Sequence, residues 1–237
     1  MLFSLQHAAR RIFLPLIDFF YPPVCLCCNK LLPDGREHVC EQCWNSIRRV
    51  EKDLELYQET RGKLLASGTI DDLVASFVFE KEGSFQHIAH GLKYAGVQSL
   101  GIELGRRLGG VINDWGLRAD YLVPIPLHKR KLRERGYNQA ELIARGVGAE
   151  TRIPVRADLV HRNRFTQTQT ALSMEERHKN VKGAFEIRSL DESVIKDKTF
   201  ILIDDVITTG ATIEACGHEL REEGATCIIA ASSALAQ

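Results

Sequence analysis

Short apolar runs alternate with longer amphipathic stretches from about residue 74 to the end of the chain. Runs with the length and composition of strands lie at 74–79, 121–125, 159–161, 200–203 and 226–231. Helical spacing of apolar residues covers 84–94, 100–113, 137–150 and 212–223. Strands that alternate with helices in this way predict an α/β fold, with a mainly parallel sheet and helices on both of its faces.

The first 60 residues follow a different pattern. They contain an apolar stretch at 13–21 and a cluster of cysteines, and glycines and paired aspartates interrupt the apolar spacing at 61–75. We therefore expect two domains. Residues 1–60 would hold an N-terminal helix and the cysteine cluster, and residues 70–237 would form the α/β domain.

The apolar stretch at 13–21 follows two arginines, as in a signal peptide, but Pro15 and Asp18 interrupt it and no small-residue cleavage site follows. It is also far shorter than the ~20 residues that a membrane-spanning helix needs, so we predict no membrane span. We favour an amphipathic helix folded onto the neighbouring domain. Peripheral membrane contact and docking of a partner protein are the alternatives.

Charge and cysteine content narrow the class of protein. The 237 residues include 31 Lys and Arg and 31 Asp and Glu, for a net charge of zero. This balance argues against binding of nucleic acid through overall charge, but it allows a local basic patch. The seven cysteines are an odd number without a signal peptide. We therefore expect a cytoplasmic protein whose reduced cysteines bind metal rather than form disulfides.

Cys25 and Cys28 form one Cys-x-x-Cys pair, and Cys40 and Cys43 form a second after eleven intervening residues. Two such pairs can wrap one tetrahedral zinc ion. Because all four ligands would come from the protein, the zinc would be structural rather than catalytic. Reduced cysteines without metal and an iron–sulfur cluster are the alternatives.

Two neighbouring residues leave the ligand set open. Cys27 is adjacent to Cys28, and the Cys-x-x-Cys spacing favours Cys28 as the ligand. His38 could replace one of the cysteines, because imidazole is also a common zinc ligand.

Two adjacent carboxylates, Asp204 and Asp205, follow the apolar run at 200–203, and a loop of threonine and glycine leads into the helix at 212–223. Gly210 allows close approach of the backbone, and amides at the start of a helix bind anions. Ionised carboxylates only accept hydrogen bonds, which suits a neighbouring diol. The segment therefore predicts a ribose 5-phosphate site, although acids at a strand end also cap helices or bind a metal.

A basic segment follows the predicted strand at 121–125 and includes Lys129, Arg133 and Arg135. Carboxyl ends of parallel strands share one edge of a sheet, so we expect this segment beside the two carboxylates, where it can bind pyrophosphate. A solvated helix face is the alternative. Two roles also remain for Lys93: it can reach a phosphate, or it can lie on the surface at a helix C-terminus.

The stretch at 164–183 is polar and has no clear period. A loop of this length inside a compact domain is usually functional or mobile. We predict that it is an active-site lid.

The segment 200–212 has four apolar residues, two acids, two apolar residues and Thr-Thr-Gly-x-Thr. It closely resembles the motif by which type I phosphoribosyltransferases bind phosphoribosyl pyrophosphate (PRPP). This motif and several other segments, taken in their order along the chain, resemble the ComF family over nearly the whole chain. These are the two cysteine pairs, 92–94, 124–127, 133–139, and the series Arg164, Thr166, Gln169, Arg177 and Asn180.

The resemblance implies a type I phosphoribosyltransferase fold preceded by a zinc ribbon, with Mg²⁺ on the pyrophosphate. Together with the chemistry above, it implies catalytic roles for Asp204, Asp205 and Lys93. The residues expected to bind PRPP and its phosphates are Lys93, Tyr94, Lys129, Arg133, Arg135, Asp204, Asp205, Thr208, Thr209, Gly210, Ala211 and Thr212. Purine-salvage relatives often have an acid at the position of Thr208, so the acceptor stays open.

Two functions remain open. The protein is either an enzyme, a phosphoribosyltransferase with an unknown acceptor, or a module that binds PRPP or nucleotide without turnover. The resemblance also implies a role in DNA uptake in some bacteria, alongside a helicase partner. A binding module could contact single-stranded DNA through the ribbon and the basic segment, with Phe165 or Tyr137 for stacking.

Overall fold

The structure, a computed structural model, describes residues 22–32, 38–163, 183–188 and 192–236. The chain divides into two compact units, residues 1–47 and 48–237. The helix expected at 13–21 lies outside the described residues and stays a prediction. In the described part of the chain, no helix is both long enough and apolar enough to cross a membrane.

The first unit is built on short turns around the cysteines. Val24 and Leu31 pair as an antiparallel bridge on either side of the first Cys-x-x-Cys pair. Helix α1 (Glu41–Ser46) begins next to the second pair, and Cys43 and Trp44 are its buried residues. A unit with so little regular structure depends on other cross-links for stability.

The second unit contains the α/β fold and a separate two-stranded sheet. Its strands are β1 (Asp72–Phe79), β2 (Tyr121–Pro124), β3 (Val160–Arg162), β4 (Phe185–Ile187), β5 (Thr199–Ile207) and β6 (Cys227–Ala236). Its helices are α2 (Glu55–Ala66), α3 (Ser84–Tyr94), α4 (Gln98–Asp114), α5 (Lys129–Arg135), α6 (Gln139–Thr151) and α7 (Ala211–Glu222).

The main sheet has the strand order β1-β6-β5-β2, and each neighbouring pair is parallel. Strands β3 and β4 form a separate antiparallel pair. Residues 48–50 cover the β1 edge, where Arg49 pairs with Phe77 and Val50 N–H donates to the Ser76 carbonyl at 3.0 Å. Because β5 lies between two parallel neighbours, its carboxyl end opens at the centre of one edge of the sheet.

Helices cover both faces of this sheet, as predicted. On one face, Leu202 of β5 shares a core with Leu64 of α2 and Ile213 of α7. On the other face, Leu122 of β2 lies against Gly148 of α6, and α4 packs closely on α6. The predicted α/β architecture is confirmed, and alternate side chains of each central strand enter two different cores.

The central strands are longer than predicted. β5 continues past 200–203 to Ile207, because Asp204 pairs with Ser232 and Ile207 pairs with Leu235 of β6. Pairing with a neighbouring strand outweighs the low strand propensity of aspartate. The acid pair therefore belongs to the strand itself rather than to the loop after it.

Helix α2 was not predicted, and neither were α1 and β4. Helix α5 was named only in the alternative, as a solvated helix face. Only three residues of α2 are buried, Tyr57, Thr60 and Leu64, so its apolar spacing is weak in the sequence. The Tyr57 hydroxyl donates to the Leu73 carbonyl at 2.9 Å and holds α2 on β1. The helix spans the domain boundary that we expected between residues 60 and 70, and it lies wholly in the second unit.

Candidate functional site

The acid pair lies at the carboxyl end of β5. Asp205 is buried and Asp204 is half-buried. The Asp205 N–H donates to Asp204 Oδ1 at 2.8 Å, which fixes one oxygen of Asp204. The two carboxyl groups act on each other electrostatically, and the charge of Lys93 acts on both.

Lys93, in the last turn of α3, is the ion-pair partner of Asp205, with 2.5 Å between Nζ and Oδ2. Burial alone would lower the pKa of Lys93, but the charge and hydrogen bond of Asp205 outweigh it and raise that pKa. Burial would likewise raise the pKa of Asp205, yet Lys93 holds it below its usual value. Both members of the pair are therefore charged at neutral pH.

The pKa of Asp204 is shifted in the opposite direction. Burial, followed by the charge of Asp205, raises the pKa of Asp204 well above its usual value. Its carboxyl group acts electrostatically on the buried Cys216 of α7 and on Arg162 of β3. Among the described residues, no ion pair with Asp204 matches the one that Lys93 makes with Asp205. Hydroxyl donors from a ligand would stabilise the charged form of Asp204.

The loop after β5 enters α7 at Gly210, whose φ of +82° lies in the left-handed region. A Cβ at this position would lie 2.4 Å from Cδ2 of Leu64, so both the conformation and the space require glycine. The first amides of α7 have no partner within the helix. A cavity of about 360 Å³ opens here, and its lining includes Lys93, Asp204, Thr208, Thr209, Gly210, Ala211 and Thr212.

The basic segment forms helix α5. Its first turn is capped by His128, whose Nδ1 accepts from Arg130 N–H at 3.2 Å. Arg135 hydrogen-bonds to Gln139, and its guanidinium lies 5.8 Å from the ring of Tyr94, which is 71% exposed. The charge of Arg135 also helps to lower the pKa of Asp205. The structure therefore brings Arg135 and Tyr94 to the acid pair.

The other predicted cations of α5 lie at its two ends. Lys129 is the first residue of the helix, and Arg133 lies in the last turn. Burial lowers the pKa of His161 on β3, and the charges of Arg188 and then Lys129 add to this effect. Lys129 is thus placed toward β3.

Two cations that interact electrostatically with residues of the site were missed from the sequence. Burial lowers the pKa of Arg162, against the attraction of Asp204. Burial also lowers the pKa of Lys131, with repulsion from Arg162, Arg135 and Lys93. Lys131 lies within the basic segment and could have been selected there. Arg162 ends a strand of three residues and carries no local signal.

The predicted lid and the series Arg164, Phe165, Thr166, Gln169, Arg177 and Asn180 lie outside the described residues. Tyr137, suggested for base stacking, is buried, and its hydroxyl hydrogen-bonds to the Leu92 carbonyl. It therefore cannot present its ring to a ligand, because it joins the start of α6 to α3.

The four predicted cysteine ligands converge in the first unit. The Sγ atoms of Cys25, Cys28, Cys40 and Cys43 all lie within 4.8 Å of one another. Those of Cys28 and Cys40 are 3.8 Å apart, which matches the spacing of about 3.8 Å for two thiolates at tetrahedral corners around zinc. The N–H groups of Cys27 and Cys40 each lie 3.4 Å from Cys25 Sγ. Against the effect of burial, such donors lower the pKa of Cys25 to about 6.

Neither Cys27 nor His38 belongs to this cluster, although both are described. Burial, followed by the charge of Cys25, raises the pKa of Cys27 to about 12. The four-cysteine set supports a structural zinc and leaves no coordination position for a substrate.

The acid pair is a poor metal site by itself. Within the described ranges, the four cysteines are the one group of three or more His, Cys, Asp or Glu side chains that could hold an ion. Mg²⁺ is usually held by one or two carboxylates, waters and substrate phosphates. Asp204 fits this requirement only if a bound pyrophosphate supplies further oxygens.

Comparison with known proteins agrees with this geometry. Residues 134–236 match the phosphoribosyl transferase domain, and residues 16–54 match the double zinc ribbon domain. The chain is 35% identical to competence protein F of Haemophilus influenzae over 44% of each protein. It is 31% identical to DNA utilization protein YhgH of Escherichia coli over 46% of each. These alignments span less than half the length of either relative.

A longer alignment, at 24% identity, covers 94% of this chain and 86% of competence protein ComFC of Bacillus subtilis. Among solved structures, the glutamine PRPP amidotransferase of B. subtilis has 23% identity and a TM-score of 0.39, over 57% of this chain and 26% of that one.

The parallel sheet, the acid pair followed by the loop into α7, and the cysteine cluster define a type I phosphoribosyltransferase fold preceded by a zinc ribbon. Within this class, the similarity to competence protein F and to ComFC and the order of the two domains support a ComF-family protein. The predicted fold and family are confirmed. The roles of individual residues remain predictions.

Proposed function

We propose that the protein binds PRPP at the carboxyl end of β5. One observation carries the proposal: a single cavity is lined by Asp204, by Lys93 and by the loop at the start of α7, and Lys93 holds the buried Asp205 in an ion pair. These parts match the two ends of ribose 5-phosphate. Carboxylates accept hydrogen bonds from a cis-diol, and the amides and hydroxyls of the loop donate to a phosphate.

The pyrophosphate would lie toward α5 and β3. Arg135, Lys131 and Arg162 supply positive charge on that side of the acid pair. Guanidinium groups bind phosphate oxygens in a bidentate manner, and cations in a partly buried site act more strongly than in water. When bound, Mg²⁺ would supply further positive charge to the pyrophosphate.

A transferase reaction at this site is proposed as the main activity. The bond from ribose C1 to pyrophosphate breaks, the leaving oxygen keeps the electron pair, and a nucleophile from the acceptor forms the new bond. Asp204 and Asp205 would hold the ribose hydroxyls in position, and the cations would stabilise the leaving group. Thr208 offers no carboxylate for removal of a proton from a purine, so the acceptor remains undefined.

The names of the relatives support a role in competence and the use of DNA. A cytoplasmic location and a helicase partner belong to the same proposal. A second candidate is a binding module for single-stranded DNA, favoured by the exposed ring of Tyr94 next to Arg135. Exposed aromatic rings beside cations are stacking platforms for single-stranded bases.

The test combines PRPP titration by calorimetry, in the presence of Mg²⁺, with an assay for pyrophosphate release in a pool of nucleobases. Binding with release supports the transferase. Binding without release, together with binding of a single-stranded oligonucleotide that Tyr94→Ala weakens, supports the second candidate. Absence of binding at millimolar PRPP would contradict the PRPP proposal.

A further inference from the structure

The acid pair already has a cation supplied by the protein. Lys93 Nζ lies 2.5 Å from Asp205, and the two side chains are only 27% and 10% exposed. Arg135 adds a second positive charge that acts on both members of this pair. The negative charge of Asp205 is therefore balanced by cations of the protein before any ligand binds.

A divalent ion would compete with Lys93 for the same oxygens. Bound between Asp204 and Asp205, it would displace the ammonium group or lie within a few Å of it, and like charges at that distance repel strongly in a partly buried site. The part of the chain that the structure describes offers no third carboxylate or histidine to complete such a metal site. The donor set therefore disagrees with a metal at the ribose end.

We propose that Lys93 takes the place of a divalent metal at the ribose end of the site, and that Mg²⁺ serves the pyrophosphate alone. This inference rests on the proposed binding of PRPP, but it makes a separate statement about metal dependence. Ribose 5-phosphate, which has no pyrophosphate, binds without a divalent ion. PRPP, whose pyrophosphate carries most of its charge, requires one for tight binding.

The experiment measures the affinity of ribose 5-phosphate and of PRPP by calorimetry, each with Mg²⁺ and with EDTA. The proteins are the full-length wild type, Lys93→Met and Lys196→Met. Methionine keeps the length of the side chain and removes the charge. Lys196 is an exposed lysine just before β5, at the other end of the strand from the acid pair, and provides the matched control. Thermal melts establish that each variant is folded.

Wild type and Lys196→Met are expected to bind ribose 5-phosphate with the same affinity in Mg²⁺ and in EDTA, within about twofold. Their binding of PRPP should weaken at least tenfold in EDTA. In Lys93→Met, binding of ribose 5-phosphate in EDTA should fall at least tenfold, and Mg²⁺ should restore part of it. The changes in Lys93→Met are expected because this variant leaves the acid pair without the cation that the wild-type protein supplies.

Failure of wild type to bind ribose 5-phosphate in EDTA, or a tenfold gain with Mg²⁺, overturns the inference whether or not Lys93→Met folds. Folded Lys93→Met that binds ribose 5-phosphate in EDTA as tightly as wild type also overturns it. If PRPP binds with Mg²⁺ in the same experiment, the proposed function survives either result. Absence of PRPP binding with Mg²⁺ contradicts the proposed function itself.

Discussion

At the scale of single residues, the site depends on two adjacent carboxylates with different electrostatics. Asp205 is paired with Lys93, and its charge is stable in the absence of a ligand. Asp204 has a raised pKa because it is buried beside Asp205. Hydroxyl donors of a ligand would favour the ionised form of Asp204. Ionisation of this group would therefore reduce the net free energy of ligand binding.

The first prediction concerns both carboxylates together. Asp204→Asn with Asp205→Asn keeps the size of the side chains and removes two charges. Each hydrogen bond from a hydroxyl to a carboxylate contributes about 1.5–3 kcal/mol, so the double variant should bind PRPP at least a hundredfold more weakly. Titration with PRPP and Mg²⁺ measures this effect, with Asp114→Asn on the exposed end of α4 as the control. Unchanged affinity would show that the pair does not recognise ribose.

The second prediction separates the two carboxylates by their effect on stability. A carboxyl group with a raised pKa gives stability that is complete below its unfolded value and is lost as pH rises through the folded value. Asp204→Asn should therefore be more stable than wild type at pH 8, with a smaller difference at pH 5. Asp205→Asn should be less stable at both pH values, because the partly buried Lys93 loses its partner, at a cost of about 1–3 kcal/mol.

Thermal melts of the ligand-free single variants at pH 5 and pH 8 measure this difference. A change of 1 kcal/mol shifts the midpoint by about 2–4 °C for a chain of this size. Equal destabilisation by the two variants would mean that Asp204 is as well paired as Asp205.

The chemistry of single residues was predictable where the residues are contiguous. Asp204, Asp205 and the loop to Thr212 form one local pattern. Arg162 could not be selected, because its position beside Asp204 arises from the packing of β3. The direct partnership of Lys93 and Asp205 likewise depends on how α3 packs, which local sequence does not specify.

At the scale of elements, helix α5 brings Arg135 close enough for its charge to act on Asp205. Arg135 in its last turn is predicted to bind pyrophosphate, as is Arg133. Arg133→Ala and Arg135→Ala should weaken PRPP about tenfold or more and ribose 5-phosphate little, because the contact is to the leaving group. Arg130→Ala, which removes an exposed pair with Glu134, is the control. Calorimetry that shows equal loss for the two ligands would contradict this placement.

Helices α4 and α6 approach so closely that glycine is needed at their contact. A Cβ on Gly105 would lie 2.1 Å from the Ile143 carbonyl oxygen, whereas one on Gly110 of the same helix meets no atom within 4 Å. Gly105→Ala should therefore destabilise the protein by about 1–3 kcal/mol or more. Gly110→Ala should be neutral or stabilising by about 1 kcal/mol. Urea unfolding of both variants checks the contrast, and similar midpoints would contradict it.

The elements that the sequence predicted are those with a strong period. Strand β1 and helices α3 and α4 bury most of their apolar positions and were found close to their observed bounds. Helix α2 buries only three residues and was missed. The extension of β5 through the acid pair depends on β6, because the pairing of neighbouring strands is a tertiary property.

At the scale of the whole molecule, the chain joins a unit that depends on metal to one that has its own core. The order of the two was predictable from the cysteine spacing and from the change in apolar pattern. The boundary was not, because α2 has few buried residues and only its packing on β1 assigns it to the second unit. The two units should therefore respond differently to loss of zinc.

The last prediction tests this difference. The protein should contain about one zinc per chain on Cys25, Cys28, Cys40 and Cys43. Structural zinc contributes about 10–16 kcal/mol in isolated zinc fingers, far more than the core of so small a unit can supply. Cys40→Ser should therefore lose zinc and unfold residues 22–45, and the second unit should keep its thermal transition. Cys27→Ser should retain the metal, because its thiol lies outside the cluster.

Metal analysis and limited proteolysis of the three proteins measure these outcomes. Cleavage of Cys40→Ser within 22–45, with a cleavage pattern of the second unit that matches wild type, is the expected result, because the second unit has its own sheet and helical layers. Iron instead of zinc in the wild type would contradict the zinc assignment and favour an iron–sulfur cluster. Full zinc content in Cys40→Ser would remove Cys40 from the ligand set, and loss of zinc in Cys27→Ser would add Cys27 to it. PRPP binding that persists in Cys40→Ser would show that the phosphoribosyl site is independent of the ribbon.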